Sequence, residues 1–561
     1  MKNWRVNIVF IFVILAFGLI ISRLVSIQLV QGGFYSALAQ GQQNFFQEVS
    51  GERGEIFIQN KNGDMIPFAV NHSWYFVYVS PKEIENKDEI AEVLSNILSL
   101  DKEVILEKIN KANTYEELKE KLTEEEIDKI GLLNTKGVYI SKKNGRFYPN
   151  TSLASKVSGF VDSDGIGRYG IEERYQETLS GQEGLIKGNK TREGILINEE
   201  MSRIDKGSNL LLTIDYNIQL EAEKVLQEVI EELNAEEGQI IVMDPHTGRI
   251  LALADNPNFN PNEYGQYSDN LGIFLNSATQ KLFEPGSIFK PLTMAAAVNE
   301  GKVTPETTYV DEGLVQIGGW ELYNYEQRVH GEQTMTNVLE KSINTGIVYA
   351  MNQIGGESFL DYVEKFGIFR NSNIDLPEVF SSNQELKKGK EVNYATASFG
   401  QGIALTPIQI LKAFSAIANE GKMVTPYLVE KTFKDSVLEE REPVQEPAIS
   451  KTTATTLTKM LVDVIEGPYS KSAKIDGYWI GGKTGTAEIS NSALGINALG
   501  YSDKTYQSFI GFAPAYDPKF LILVKLLDPE TKTAEYSALP TFRKIAKYII
   551  DYYQIPPDYA E

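Results

Sequence analysis

The chain has 561 residues, 42% of them hydrophobic, a formal net charge of −22 and no cysteine; that length and apolar content carry two or more domains with real cores. The acidity excludes nucleic-acid binding, which wants basic patches, and the missing cysteines exclude disulfides and thiolate chemistry. Only His72, His246 and His330 are histidines, far apart in sequence, so neither a histidine triad nor a metal site is expected and no cofactor is implied.

At the start, Val6 to Ile21 is apolar apart from Asn7 and Gly18, with a less apolar continuation to Val30. At 1.5 Å per residue this stretch reaches ~37 Å, enough to cross a ~30 Å hydrocarbon core. Lys2 and Arg5 precede it, and after Arg23 no basic residue appears before Arg53. The positive-inside rule then places the N-terminus in the cytoplasm and the bulk outside a cell membrane crossed once. The rival is a cleaved signal peptide ending near Ala37-Leu38-Ala39, but that site lies well beyond the apolar run. Residues 1–30 are therefore expected to form a transmembrane anchor.

Residues 31–206 predict a mixed α+β non-catalytic domain. Trp74–Val79 is strand-like, Asn62-Gly63 is a hairpin turn, and Lys87–Ile130 predicts charged amphipathic helices, one of them over Glu116–Leu132. From Gly207 onward the pattern sharpens. Leu210–Ile214 predicts a strand, and Asp215 caps a helix whose apolar stripe is Ile218, Ala222, Val225, Leu226, Val229, Ile230 and Leu233. Gln239–Met243 and Arg249–Ala254 predict one hairpin, Ser508–Ala513 and Phe520–Leu526 another, and Phe542, Ile545, Ala546 and Ile549 line a closing helix. Residues 207–561 thus predict an antiparallel sheet assembled from both ends, with helices packed on it.

The chemistry gathers in three places. Ser287-Ile288-Phe289-Lys290, entered through Glu284-Pro285-Gly286, puts a hydroxyl and an amine on one face of a predicted helix start. Nucleophile, base and unpaired helix N–H groups converge there, as acyl transfer requires. Ser99-Leu100-Asp101-Lys102 also fits Ser-x-x-Lys, but it opens an amphipathic stretch and reads as a helix cap. Ser342-Ile343-Asn344 follows 55 residues after Ser287, and the single Lys483-Thr484-Gly485-Thr486 a further 141 on, flanked by small residues that let a strand edge approach a ligand. Ser268 and Ser381 also start Ser-x-Asn, the first ahead of the nucleophile and the second in a polar loop.

The ordered set Ser-x-x-Lys, Ser-x-Asn, Lys-Thr-Gly is that of penicillin-binding proteins and serine β-lactamases. Over nearly its whole length the chain resembles the class B penicillin-binding proteins, membrane-anchored monofunctional peptidoglycan D,D-transpeptidases. Arg53-Gly54-Glu55-Ile56 with Asn62-Gly63, and Gly167-Arg168-Tyr169-Gly170-Ile171-Glu172 with Leu179 and Gly181, resemble the family's pedestal motifs, although Gln59 stands where the family usually has an acid. Leu212–Asp215 with Gln219, and Ser398-Phe399-Gly400-Gln401-Gly402 with Thr406, Pro407 and Gln409, resemble transpeptidase segments.

The resemblance implies an α+β chain: anchor, pedestal, then a penicilloyl-serine transferase domain. It implies that Ser287 attacks the penultimate D-Ala of an acyl-D-Ala-D-Ala donor, with Lys290 as base and Ser342 relaying the proton. Lys483 supplies a second cation, Asn344 holds the substrate amide, Thr484, Gly485 and Thr486 bind the terminal carboxylate, and the oxyanion hole takes the Ser287 and Thr486 N–H groups. Peptidoglycan stem peptides, β-lactams and a membrane glycosyltransferase of the shape, elongation, division and sporulation family are the implied partners. A β-lactamase would need deacylation machinery, and no Glu-x-x-Leu-Asn follows Ser342. A D,D-carboxypeptidase differs only in letting water outcompete the amine. A bifunctional class A enzyme would need a glycosyltransferase domain that residues 31–205 do not resemble. A catalytically silent scaffold is the reading from another class, and the intact motifs argue against it as the sole role.

Overall fold

The computed structural model describes residues 17–18, 21, 44–133, 135–181, 183–191, 194–197, 205–498 and 500–559. The expected anchor at residues 1–30 falls almost wholly outside them, and among the described residues no helix is long and apolar enough to cross a membrane. The chain divides into two compact units. The smaller, residues 1–54 with 180–208, holds a three-stranded sheet in which Asn44–Ser50 and Gly194–Ile197 flank Glu183–Thr191.

The larger unit takes residues 55–179 and 209–561. One of its sheets is shared between distant segments: Asn209–Asp215 pairs in parallel with Ile56–Gln59 and antiparallel with Val429–Phe433, and Met65–Val79 continues the sheet. Its inward residues Ile56, Ile58, Leu210, Leu212 and Ile214 are fully buried, which binds the early segment into the main core. Glu172, in the second pedestal-like motif, is also fully buried and accepts from Arg146 Nε at 2.6 Å and the Tyr148 hydroxyl at 3.3 Å.

Two local expectations are corrected. Glu116–Leu132 is not one helix: Glu116–Lys119 is a strand paired with Val77–Val79, and a helix runs over Glu124–Leu133. The break comes at Thr123, whose hydroxyl and backbone N–H exchange bonds with Glu126, a capping arrangement that starts the helix late. Ser99 is not the N-cap of Lys102–Ile109. Asp101 is, accepting from Glu103 N, while Ser99 ends the preceding helix in the left-handed region at φ 55°.

Helix α1 (Tyr216–Leu233) starts as expected, with Asp215 accepting from the N–H groups of Asn217 and Ile218. Strands β1 (Glu237–Met243) and β2 (Ile250–Asn256) follow as a hairpin. A helical middle comes next: α2 (Lys290–Asn299), α3 (Asn344–Ile354), α4 (Pro407–Ala418) and α5 (Lys451–Glu466). All of α4 is buried, and its polar residues Gln409, Lys412 and Ser415 donate to backbone carbonyls there. Strands β3 (Gly481–Ser490), β4 (Tyr501–Ala513) and β5 (Phe520–Leu527) then close the sheet, and α6 (Ala538–Tyr553) covers it with Phe542, Ile545, Ala546 and Ile549 fully buried. The strand order β2-β1-β5-β4-β3 joins the two ends of the domain and leaves β3 at an edge.

Candidate active site

Ser287 lies in a tight 3-10 turn, Gly286–Phe289, and α2 begins only at Lys290. The expected helix start is therefore one turn later than the motif. The turn is tight because Gly286 sits at φ +57° and donates its N–H to Gly400 O at 2.9 Å. Gly400, at φ +83°, has no room for a side chain: a Cβ there would fall 2.1 Å from Gly286 O. Thr293 of α2 also donates to Ser398 O at 2.7 Å, so the Ser398–Gly402 segment clamps the nucleophile turn from behind. That role was not legible in the sequence, because only the tertiary fold shows what two glycines approach.

The tight turn redirects the chemistry. Lys290, fully buried, donates to Ser342 O at 2.6 Å and to Ser342 Oγ at 3.1 Å, and Ser342 Oγ lies 3.0 Å from Ser287 Oγ. The direct Ser287–Lys290 contact expected from helical spacing is replaced by a chain through Ser342. Hydroxyl protons rotate, so the chain Ser287–Ser342–Lys290 has the geometry to pass a proton in either direction. Ser342 is held in the left-handed region at φ 57°, just ahead of α3. A non-glycine residue kept there carries strain of the kind that functional sites retain. Asn344 opens α3 and donates to Tyr323 O at 3.0 Å, beside this chain.

Strand β3 faces the turn with its edge. Gly485 is obligatory there, since a Cβ would lie 2.7 Å from Ser508 Oγ, 2.9 Å from Ile288 Cγ2 and 3.2 Å from Pro285 O. Lys483, 1% exposed, donates to Thr484 O at 3.1 Å. Burial, opposed by Glu535, brings its pKa down to about 8. Burial, reinforced by the Lys483 charge, holds Lys290 well below the ordinary lysine range. A buried lysine beside a second cation is thereby made a usable base near neutrality.

The 3-10 turn Ala534–Tyr536 packs on the same strand and was missed in the sequence. Ala534 N donates to Thr486 Oγ1 at 3.2 Å, and Thr484 Oγ1 donates to Glu535 Oε1 at 3.5 Å. No motif marks Glu535; its place follows only from the crossover after β5. The stretch Glu488–Tyr506 continues β3 to Ser490 and begins β4 at Tyr501, whose hydroxyl donates to Glu284 Oε2 at 3.0 Å.

The residues of all three sequence motifs thus meet around one turn, and the chain's likenesses agree with that chemistry. Residues 238–547 match the penicillin binding protein transpeptidase domain, and residues 48–212 match the penicillin-binding protein dimerisation domain. Stage V sporulation protein D of Bacillus subtilis (strain 168) is 30% identical over 543 residues, covering 94% of this chain and 82% of that protein. A peptidoglycan D,D-transpeptidase FtsI homolog of Mesostigma viride is 28% identical over 587 residues, covering 99% and 96%. Among solved structures, a peptidoglycan synthetase from Bifidobacterium adolescentis superposes with a TM-score of 0.71 at 25% identity, covering 92% of this chain and 98% of that one. Penicillin binding protein 3 from Mycobacterium tuberculosis, complexed with aztreonam, does so at 0.69 and 25%, covering 91% and 98%. A serine–lysine acyl-transfer geometry and a match over more than half its length together establish that this chain belongs to the penicillin-binding protein transpeptidase family.

Proposed function

We propose that this protein is a peptidoglycan D,D-transpeptidase that joins stem peptides through an ester on Ser287 and is a target of β-lactams. The observation that carries the reading is the unbroken Ser287–Ser342–Lys290 chain beside a second buried lysine. Ser287 Oγ adds to the penultimate D-Ala carbonyl while its proton passes through Ser342 to neutral Lys290. The Ser287 and Thr486 N–H groups receive the oxyanion, worth roughly 3–4 kcal/mol per donor. The C–N bond breaks, the proton returns through Ser342 to the leaving D-Ala amine, and the ester remains. An acceptor amine then adds to that ester, an amide forms, and Ser287 regains its proton. Asn344 holds the donor amide, and Thr484, Gly485, Thr486 and Lys483 receive its terminal carboxylate.

The same reading assigns residues 1–30 as a single membrane anchor with a cytoplasmic start, and divides the remainder at 206/207 into pedestal and transpeptidase domains. Support comes from the apolar Val6–Val30 run and from family matches ending at 212 and starting at 238. A membrane glycosyltransferase that polymerises the glycan strands is the proposed partner. Intact-protein mass spectrometry after exposure to a penicillin tests the activity. A stable adduct on the parent, absent from Ser287→Ala, is expected. Rapid penicillin turnover without accumulation would instead make it a hydrolase. With no adduct and no turnover, a D-Ala-D-Ala thioester donor separates a penicillin-insensitive transpeptidase from a silent scaffold.

A further inference from the structure

The Thr484 and Thr486 hydroxyls, assigned above to a donor's terminal carboxylate, are already engaged by one turn of the same chain. Thr486 Oγ1 accepts from Ala534 N at 3.2 Å, and Thr484 Oγ1 donates to a carboxylate oxygen, Glu535 Oε1, at 3.5 Å. Among the described residues Lys483 bonds to Thr484 alone, at 3.1 Å to its carbonyl and 3.5 Å to its hydroxyl, so Thr484 stands between the ammonium and the Glu535 carboxylate. The second carboxylate oxygen, Oε2, is buried without a hydrogen-bond partner. Most buried side-chain oxygens have a partner, because an unpaired one costs free energy. Lys532, three residues before Glu535, pairs with Glu326 at 2.5 Å and leaves Lys483 as the cation on which Glu535 acts.

We propose that Glu535 is a specificity-determining residue of the acyl-transfer site: its carboxylate stands in for a donor's terminal carboxylate on β3 and weakens capture of acyl donors that carry a free carboxylate. The inference rests on the assignment of Thr484 and Thr486 as the carboxylate subsite. Its sign follows from charge alone. Removing the Glu535 charge makes the subsite more positive whatever Lys483 does in response, because a lysine titrating in reply gives up less than the one charge gained. Lys290 on α2, the other buried amine beside Lys483, is kept in both variants. Loss of a native contact then strengthens the capture of anions, which no purely structural role predicts.

The test compares the full-length protein with Glu535→Gln and Glu535→Ala. The reading is the second-order rate constant of acylation by a penicillin, which carries one free carboxylate, with melting curves for each protein. Both variants are expected to acylate roughly three- to tenfold faster, the scale of one partly screened charge at close range. Gln keeps the shape and changes only the charge, so an unchanged or lower rate in a folded Glu535→Gln overturns the inference, even if Ala is faster. Should Gln fail to fold, the Ala variant decides by the same criterion. Failure of both to fold makes Glu535 a structural residue and overturns it too. A parent that acylates normally beside unaltered variants defeats this inference only, whereas a parent that never acylates Ser287 defeats the transpeptidase reading itself.

Discussion

Lys290 and Lys483 are two amines withdrawn from water into one site, and on the proposed mechanism their protonation sets when Ser287 can react. Lys290 acts when neutral, so acylation should rise with pH through its depressed pKa. On the same mechanism Lys483 acts when charged, so carboxylate capture should fall as pH rises through about 8. The rate of Ser287 acylation is therefore expected to be bell-shaped, and an acid limb no lower than about pH 9 would remove Lys290 as the base. Among the described residues Ser342 bridges Lys290 and Ser287, so Ser342→Ala should slow acylation by roughly 10²–10⁴ with little change in pre-acylation binding. Stability runs the other way. Lys290 has a folded pKa below its unfolded ~10.4, so its cost is full below the folded value, fades as pH climbs from there and is gone above the unfolded one. Lys290→Met is expected to stabilise the fold by about 1–4 kcal/mol at pH 7 while abolishing acylation, with the gain shrinking toward pH 10 in denaturant titrations.

Strand β3 works because nothing protrudes from it at Gly485 and nothing holds the nucleophile turn away. Gly485→Ala would press a methyl on Ser508, Ile288 and Pro285, part edge from turn, and cost about 1–3 kcal/mol besides most of the acylation rate. Gly400→Ala meets backbone rather than side chain, so its destabilisation by chemical unfolding should be the larger of the two. Elements such as α1, both hairpins and α6 were legible in the sequence because one apolar face repeated at the helix or strand period over several turns or pleats. The α2 start was misjudged by one turn, since Gly286 in the left-handed region and its bond to Gly400 are tertiary facts. The same limit explains Thr123, where a cap inside a charged run divided one expected helix into a strand and a shorter helix. The site residues were readable as types in order; that Lys290 addresses Ser342 before Ser287, and that Glu535 joins them, required the fold.

Across the whole domain, β1 pairs with β5 in the register Glu237–Leu527 to Met243–Leu521, so the sheet's centre joins segments from opposite ends of the domain. Helix α6 then seals one face against α1 with Phe542 and Ile549. A chain ending before β5 should leave β1 and β4 without the strand that joins them, and should show neither a cooperative melt nor penicillin labelling when expressed at full yield. The arrangement also gives the enzyme a calendar. Ser287 leaves the ribosome about 240 residues ahead of the strand that completes its sheet, an interval of roughly 12–48 s at ~5–20 residues per second. For that time Ser287 waits on an unfinished sheet, and the protein cannot be acylated by a substrate or an antibiotic until β5 has emerged.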